Sequence, residues 1–306
     1  MKVYEMTAVG VEHEHEHKPC EDHVTTSQWN GVVAEACADG AGDCRLGGEE
    51  ARRLSATLAQ FAAMYFHRLW DMPRAEAAQE LLRVIRGVQE QLMQETGASA
   101  EDMGCTVVVA AMDRRSHRCL GVSLGDGILL GRKFWTGRVY AMLPPEKREG
   151  GEGSYLTRGS DEEILEHLRI VQDSARDALM VSSNGLERTL WDVTGRRLSP
   201  TVEKLMNWVA DDPEAVRVDF AEAVYDLSLR DDAGVAVMVD HRDALGAWEG
   251  KDPTLLCRRR RCARRYRDYL HYRDAGFGRQ EAGRRVGWRM RDVVRNISYM
   301  KSIGLD

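Results

Sequence analysis

No apolar run in this chain approaches the length of a membrane span. The longest, Thr106 to Met112, covers seven residues, where a bilayer-crossing helix needs roughly 20. The opening Met1-Lys2-Val3-Tyr4-Glu5 lacks the apolar core of a secretory signal. The seven cysteines are odd in number and form no C-x-x-C pair. A disulfide framework is therefore not expected, and reduced, mostly buried thiols that pack the core of a cytoplasmic protein are. There is no G-x-G-x-x-G fingerprint for a dinucleotide and no internal repeat.

What is present suits a soluble globular chain. The 306 residues suffice for one large domain and a small one, with 43% hydrophobic and 30% charged residues. The net charge of −6 is unevenly spread: residues 1–250 carry −16 and residues 251–306 carry +10. Such a split suggests two units, 1–245 and 251–306, with different partners. The basic unit attracts polyanions or docks on the acidic body.

Periodicity supplies a coarse layout. Gly31 to Ala38 reads as a strand ending at Asp39-Gly40, and Glu49 to Trp70 as a long amphipathic helix stopped by Met72-Pro73. A second helix follows from Arg74 to Glu95, ended by Gly97. Cys105 to Met112, Cys119 to Leu124 and Ile128 to Arg132 read as strands, and a tight turn presents Asp126 between the last two. Residues 144–160 form a polar, Gly-rich loop. A helix at Asp161 to Gln172, a buried strand at Asp177 to Ser183, helices at Pro200 to Ala210 and Pro213 to Leu229, and a strand at Gly234 to Val239 complete the body. That order is not a βαβ alternation. It indicates an α+β fold of antiparallel sheets with helices packed outside.

Acidic residues recur where these strands stop or start: Asp22, Asp39, Asp126 and Asp231, with Asn184 at a fifth such place. Carboxylates at the ends of buried strands are hard oxygen ligands on rigid supports, suited to magnesium or manganese. Taken singly, each is more simply a turn residue. His13, His15 and His17 alternate with glutamates. In a strand they would share one face as a metal-binding tract, though an exposed polar strand or turn explains them as well.

As an ordered set the motifs resemble the metal-dependent protein phosphatase family, type 2C, in its bacterial branch with a Pro-Cys-Glu/Gln-Asp motif. The residues are Gly10-Val11-Glu12-His13, Pro19-Cys20-Glu21-Asp22, Ala38-Asp39-Gly40-Ala41-Gly42, Gly104-Cys105-Thr106, Leu124-Gly125-Asp126-Gly127, Ser183-Asn184-Gly185 and Asp231-Asp232-Ala233-Gly234. The resemblance covers about residues 8–240. It implies a four-layer sandwich of two antiparallel sheets flanked by helices. It also implies a centre of two Mn2+ or Mg2+ ions, with a more weakly held third.

In that centre the resemblance makes Asp39 the bridging ligand and Gly40 a carbonyl ligand. Asp231 is a terminal ligand, Asp22 holds metal-bound water, and Asp126 serves the additional ion. It implies a hydrolase of signalling pathways, a serine/threonine protein phosphatase that attacks phosphate monoesters with a metal-bridging hydroxide.

The chain departs from the family pattern at several positions. Asn184 stands for a ligand aspartate and keeps only one carbonyl oxygen. His17 stands for the phosphate-anchoring arginine, with Lys18 as the neighbouring substitute. Ala41 stands where some members carry histidine, and Gly234 replaces a threonine. A second reading follows: a phosphatase-like regulatory module with an impaired centre, whose C-terminal unit binds nucleic acid or an acidic partner.

Residues 254–275 read as a basic amphipathic helix with interleaved tyrosines. Arg279 to Val286 and Met290 to Met300 resemble a helix-turn-helix, with Ala282 and Gly283 small enough for a close crossing. Its second helix would offer Arg289, Arg291, Arg295 and Asn296 to a groove or to phosphates.

Overall fold

Pro73 splits one long apolar pattern into two helices. Met72 before it takes an extended conformation, as a residue preceding proline favours. Helix α2 therefore runs Gly47–Asp71 and α3 Arg74–Thr96. Gly97 closes α3 in the left-handed region, its N–H donating to the Met93 carbonyl. The inward stripe of α2 (Leu54, Leu58, Ala62, Phe66, Leu69) is fully buried. Each large side chain of this stripe contributes roughly 1.5–3 kcal/mol by leaving water. The computed structural model describes residues 1–133, 138–148, 153–174, 176–192, 197–211, 229–240, 265–266, 268–289, 293 and 297.

Two five-stranded sheets, antiparallel throughout, form the centre. One is ordered β1 (Lys2–Ala8), β12 (Ala233–Val239), β9 (Arg176–Ser182), β6 (Ile128–Lys133) and β7 (Val139–Leu143). The other is ordered β2 (Asp22–Trp29), β3 (Val32–Gly40), β4 (Cys105–Asp113), β5 (Cys119–Leu124) and β8 (Arg169–Asp173). Alternation along β3 shows the layering. Ala34, Ala36 and Ala38 pack under α2 and α3, whereas Val33 and Cys37 meet Leu179, Val181, Ala236 and Met238 from the opposite sheet. After β9 come a short helix α5 (Glu187–Leu190) and a two-stranded ribbon of β10 (Trp191–Asp192) and β11 (Arg197–Leu198). Helix α6 (Pro200–Asp211) covers the outer face of the first sheet. The expected four-layer α+β sandwich is what the chain forms.

Several local expectations are corrected. The tight turn Gly125-Asp126-Gly127 does not join hairpin partners, because β5 and β6 belong to different sheets. It carries the chain across the sandwich and leaves Asp126 buried at the seam. The helix expected over Asp161 to Gln172 stops at His167 as α4. Residues 169–173 instead form β8, since pairing with β5 satisfies that sheet's otherwise open edge.

The His13–His17 tract is not a strand. Residues Val11–Glu16 form a short helix, α1, whose first N–H groups donate to the carbonyls of Leu229 and Arg230. Helical geometry turns His15 away from His13, and His17 lies beyond the helix as its left-handed cap, so the three histidines share no face.

Of the five described cysteines, Cys37, Cys44, Cys105 and Cys119 are buried and Cys20 half-buried, all as free thiols. Among the described residues no helix is long and apolar enough to cross a membrane.

The C-terminal segment is helical at 268–274 and at Arg279–Arg285. Tyr266, Tyr269, Ala282, Trp288 and Val293 form their own buried cluster. A Cβ on Gly283 would meet Val293 Cγ2 at 2.6 Å, so the small residue there allows a close contact with Val293. The boundary between 245 and 251, the expected helix at Pro213 to Leu229 apart from Leu229 itself, and most of the one at Met290 to Met300 lie outside the described residues. So do Arg291, Arg295 and Asn296; Arg289 is described and exposed.

Candidate functional site

The two sheets bring their acidic strand ends together at one end of the sandwich. Asp22 at the start of β2 pairs across the ladder with Asp39 near the end of β3, and Asp39 in turn pairs with Thr106 on β4. From the opposite sheet, β9 leads into Asn184, and Asp231-Asp232 precede β12. A cavity of about 450 Å³ opens here, lined by Asp39, Gly40, Thr106, Asn184, Asp231 and Asp232 among others. Asp22 and Asp126 are buried beside it. The cluster expected from scattered sequence positions is thus one place in space.

The loops meet tightly. A Cβ on Gly10 would run into the Asp231 backbone, and one on Gly185 into the Asp232 carbonyl. Asp232 holds the junction: its Oδ1 accepts from the Gly10 N–H at 2.7 Å and its Oδ2 from the Glu21 N–H at 2.6 Å. His13 Nδ1 lies 2.9 Å from the same Oδ2. The Asp232 N–H in turn donates to Asp231 Oδ1 at 3.0 Å. His13 and Glu21 line the cavity as well. Neither Glu21 nor Asp232 is singled out by sequence pattern, since each is the second carboxylate beside a more conspicuous one.

Burial pushes the Asp22 carboxyl up to about 7, tempered by the Ser183 hydroxyl and Asp39 beside it and reinforced by the charges of Asp232 and Asp231. Burial, followed by the charges of Asp22, Asp126 and Asp231, holds the Asp39 carboxyl well above its ordinary range. So many carboxylates in one low-dielectric place require positive charge to stay ionised together. Both Asp22 oxygens, Asp126 Oδ1 and Asn184 Oδ1 are buried with no hydrogen-bond partner among the described residues. Hard oxygen donors left unpaired in this way fit a divalent cation of the magnesium or manganese kind. Among the described residues no three such side chains close into a ready cage.

Asn184 Nδ2 sits 3.5 Å from Asp126 Oδ2, a long and weak contact. His17 and Lys18 do not reach the cavity. His17 caps α1 in the left-handed region, and Lys18 pairs with Glu16 at 2.7 Å on the exposed surface. Among the described residues the arginines that do line the cavity are Arg148 and Arg158, from the loop that sequence pattern leaves unassigned.

A bacterial serine phosphatase superimposes with a TM-score of 0.51 at 13% identity, over 78% of this chain and 97% of that one. PppA, a key regulatory component of T6SS in Pseudomonas aeruginosa, does so with a TM-score of 0.51 at 16% identity, over 78% and 97% of the two chains. At these identities the likeness concerns the fold. No curated protein matches the sequence. The family model for protein phosphatase 2C matches residues 9–223, well over half of the sequence. The chain belongs to the protein phosphatase 2C family.

Proposed function

We propose that this protein is a metal-dependent serine/threonine protein phosphatase that hydrolyses phosphate monoesters at the cavity between the sheet ends. The observation that carries the reading is the convergence of Asp39, Asn184 and Asp231 from β3, β9 and β12 on one cavity, with unpaired buried oxygens beside it. Asp39, the Gly40 carbonyl, Asn184 and Asp231 would hold the principal ions, and Asp126 a further one. Bound divalent ions supply a water acidified enough to attack phosphorus near neutral pH and neutralise charge on the phosphoryl oxygens.

The chain's own residues do the rest. Asp22, across the ladder from Asp39, would accept a proton from an attacking water. Asp232 fixes the backbone at Gly10 and Glu21, so the cavity wall does not shift when charge builds up inside it. Release of phosphate from a phosphopeptide or from p-nitrophenyl phosphate, in the presence of Mn2+, tests the assignment. No turnover at any Mn2+ concentration refutes it.

A second reading, a regulatory module with an impaired centre, draws on Asn184. A neutral amide beside Asp126 offers one oxygen and no charge to a cation. Metal content and turnover of the wild type and of Asn184→Asp separate the two readings: a large gain of activity marks a damaged centre.

For residues 251–306 the reading is a helical unit that engages nucleic acid or an acidic partner, supported by the +10 charge and the close Gly283–Val293 contact. The test is a salt-dependent DNA mobility shift by the full chain that weakens in Arg289→Ala. No shift at low salt removes the nucleic-acid assignment.

A further inference from the structure

We infer that Arg158, assisted by Arg148 at the same cavity, binds the outer oxygens of the substrate's phosphate and so takes the task that position 17 does not perform. This rests on the phosphatase reading of the cavity. Two geometric facts lead to it: His17 and Lys18 lie outside the cavity, and among the described residues Arg148 and Arg158 are the guanidinium groups that line it.

Arg158 is held on a fixed support. The Thr157 N–H donates to the Cys105 carbonyl at 3.0 Å, and its hydroxyl accepts from the Cys105 N–H at 3.0 Å. The same hydroxyl donates to buried Glu50 at 2.8 Å. Arg86 donates to the carbonyls of Thr157 and Gly159 at 3.0 and 2.7 Å, and Gln89 donates to the Thr157 carbonyl at 3.1 Å. The backbone is therefore tied down on both sides of residue 158, against the start of β4 and against α2 and α3. The stem of Arg158 lies over Gly104, where a Cβ would come within 3.3 Å of its Cδ. That path leads the guanidinium over the loop that follows Asp39.

The guanidinium is directed but not exhausted. Its Nη2 donates to Asp43 Oδ2 at 3.0 Å and its Nη1 to Cys44 Sγ at 3.1 Å. Arginine carries five N–H donors in a rigid fork, so others remain for an oxyanion. The Asp43 side chain is 66% exposed, and a pair so open to water is weak and easily exchanged. A phosphate dianion offers the stronger, bidentate, charge-assisted contact. Arg148, tied to Glu163 at 2.8 Å, contributes positive charge from the neighbouring turn. The acidic floor of the cavity holds cations, and the arginines on its wall address the phosphate oxygens that the cations do not reach.

The test is calorimetric binding of inorganic phosphate to the Mn2+-loaded full-length protein, alongside kcat and KM for p-nitrophenyl phosphate. Arg158→Ala is expected to weaken phosphate binding and raise KM at least tenfold, with a smaller change in kcat and an unaltered Mn2+ requirement. Arg158→Lys should recover part of the loss. Asp43→Asn separates ligand binding from mere tethering. A phosphate ligand, released from its surface partner, binds phosphate at least as tightly in that variant, whereas a tether gives the same loss as Arg158→Ala. Unchanged phosphate affinity in Arg158→Ala, or an equal loss in Asp43→Asn, overturns the assignment. Phosphate binding that depends on Arg158 in a protein without turnover would uphold this inference while removing the phosphatase reading.

Discussion

Asp22, buried, and Asp39, half-buried on the cavity wall, face each other directly across the β2–β3 ladder, at the point where the two sheets present their ends to one cavity. Two carboxylates in adjacent register on a buried ladder repel unless a proton or a cation lies between them. Replacing Asp39 by asparagine removes one charge and one carboxylate oxygen while keeping the shape of the side chain. Asp39→Asn should lower kcat/KM by at least about 100-fold, the order lost when charge stabilisation of a transition state is removed. Its melting temperature in the absence of metal should match or exceed that of the wild type, because the repulsion is gone. Steady-state kinetics and thermal unfolding in chelator check the two halves separately.

Asn184 lies 3.5 Å from Asp126 through its amide nitrogen, and its Oδ1 has no partner among the described residues. Asn184→Asp adds a charged oxygen to the same place. The half-saturating Mn2+ concentration should fall by about tenfold, since ligand charge tunes the affinity of oxygen-donor sites. The measurement is an activity or calorimetric titration with Mn2+. An unaltered midpoint means that this position does not touch the ion.

Thr157 links the start of β4 to the helix layer through Glu50 and Gln89. Thr157→Val keeps the shape but strips partners from the buried Glu50 carboxylate and the Cys105 N–H. It should cost about 1–3 kcal/mol of stability, the penalty for leaving buried polar groups unsatisfied. Denaturant unfolding monitored by tryptophan fluorescence reads it directly.

Glu35 sits between the sheets with no exposure, and burial, reinforced by the charge of Glu5 and eased by the Val181 N–H, holds its carboxyl well above the usual range. The folded state therefore keeps the proton at pH values where the unfolded chain has released it. Stability from this group is full below the unfolded value and declines as pH rises from there through the folded value. Glu35→Gln should flatten that decline and raise the melting temperature at pH 8 by roughly 3 °C or more. At pH 4 the two proteins should unfold alike, and a comparison across that range is the check.

The elements that sequence pattern made legible are those with one strong period or a hard stop. Helices α2 and α3 are set by their apolar stripes, Pro73 and Gly97, and β4 by its β-branched run. The aspartates were legible because each ends such a strand.

Elements of mixed burial were harder to read. Strands β1, β7 and β8 are edge strands of mostly half-buried residues with no clear alternation of apolar and polar side chains, and β8 continues the charge pattern of α4. The His13 tract looks strand-like in sequence, yet its backbone is captured as a helix by the carbonyls of Leu229 and Arg230, more than two hundred residues away. Arg148 and Arg158 come from a polar loop whose course depends on the buried anchor at Thr157, and no local period encodes that anchor.

Hydrolysis of phosphate esters at this cavity, with divalent ions held by Asp39 and Asp231, is what the proposed function stands or falls on. The decisive measurement is phosphate release from a phosphoserine or phosphothreonine peptide, titrated with Mn2+ for the wild type and Asp39→Ala. The expected result is saturable, Mn2+-dependent release that chelator abolishes, Mn2+ restores and Asp39→Ala lacks. Release that persists in chelator, survives in Asp39→Ala, or fails to occur in the wild type at any Mn2+ concentration would contradict it.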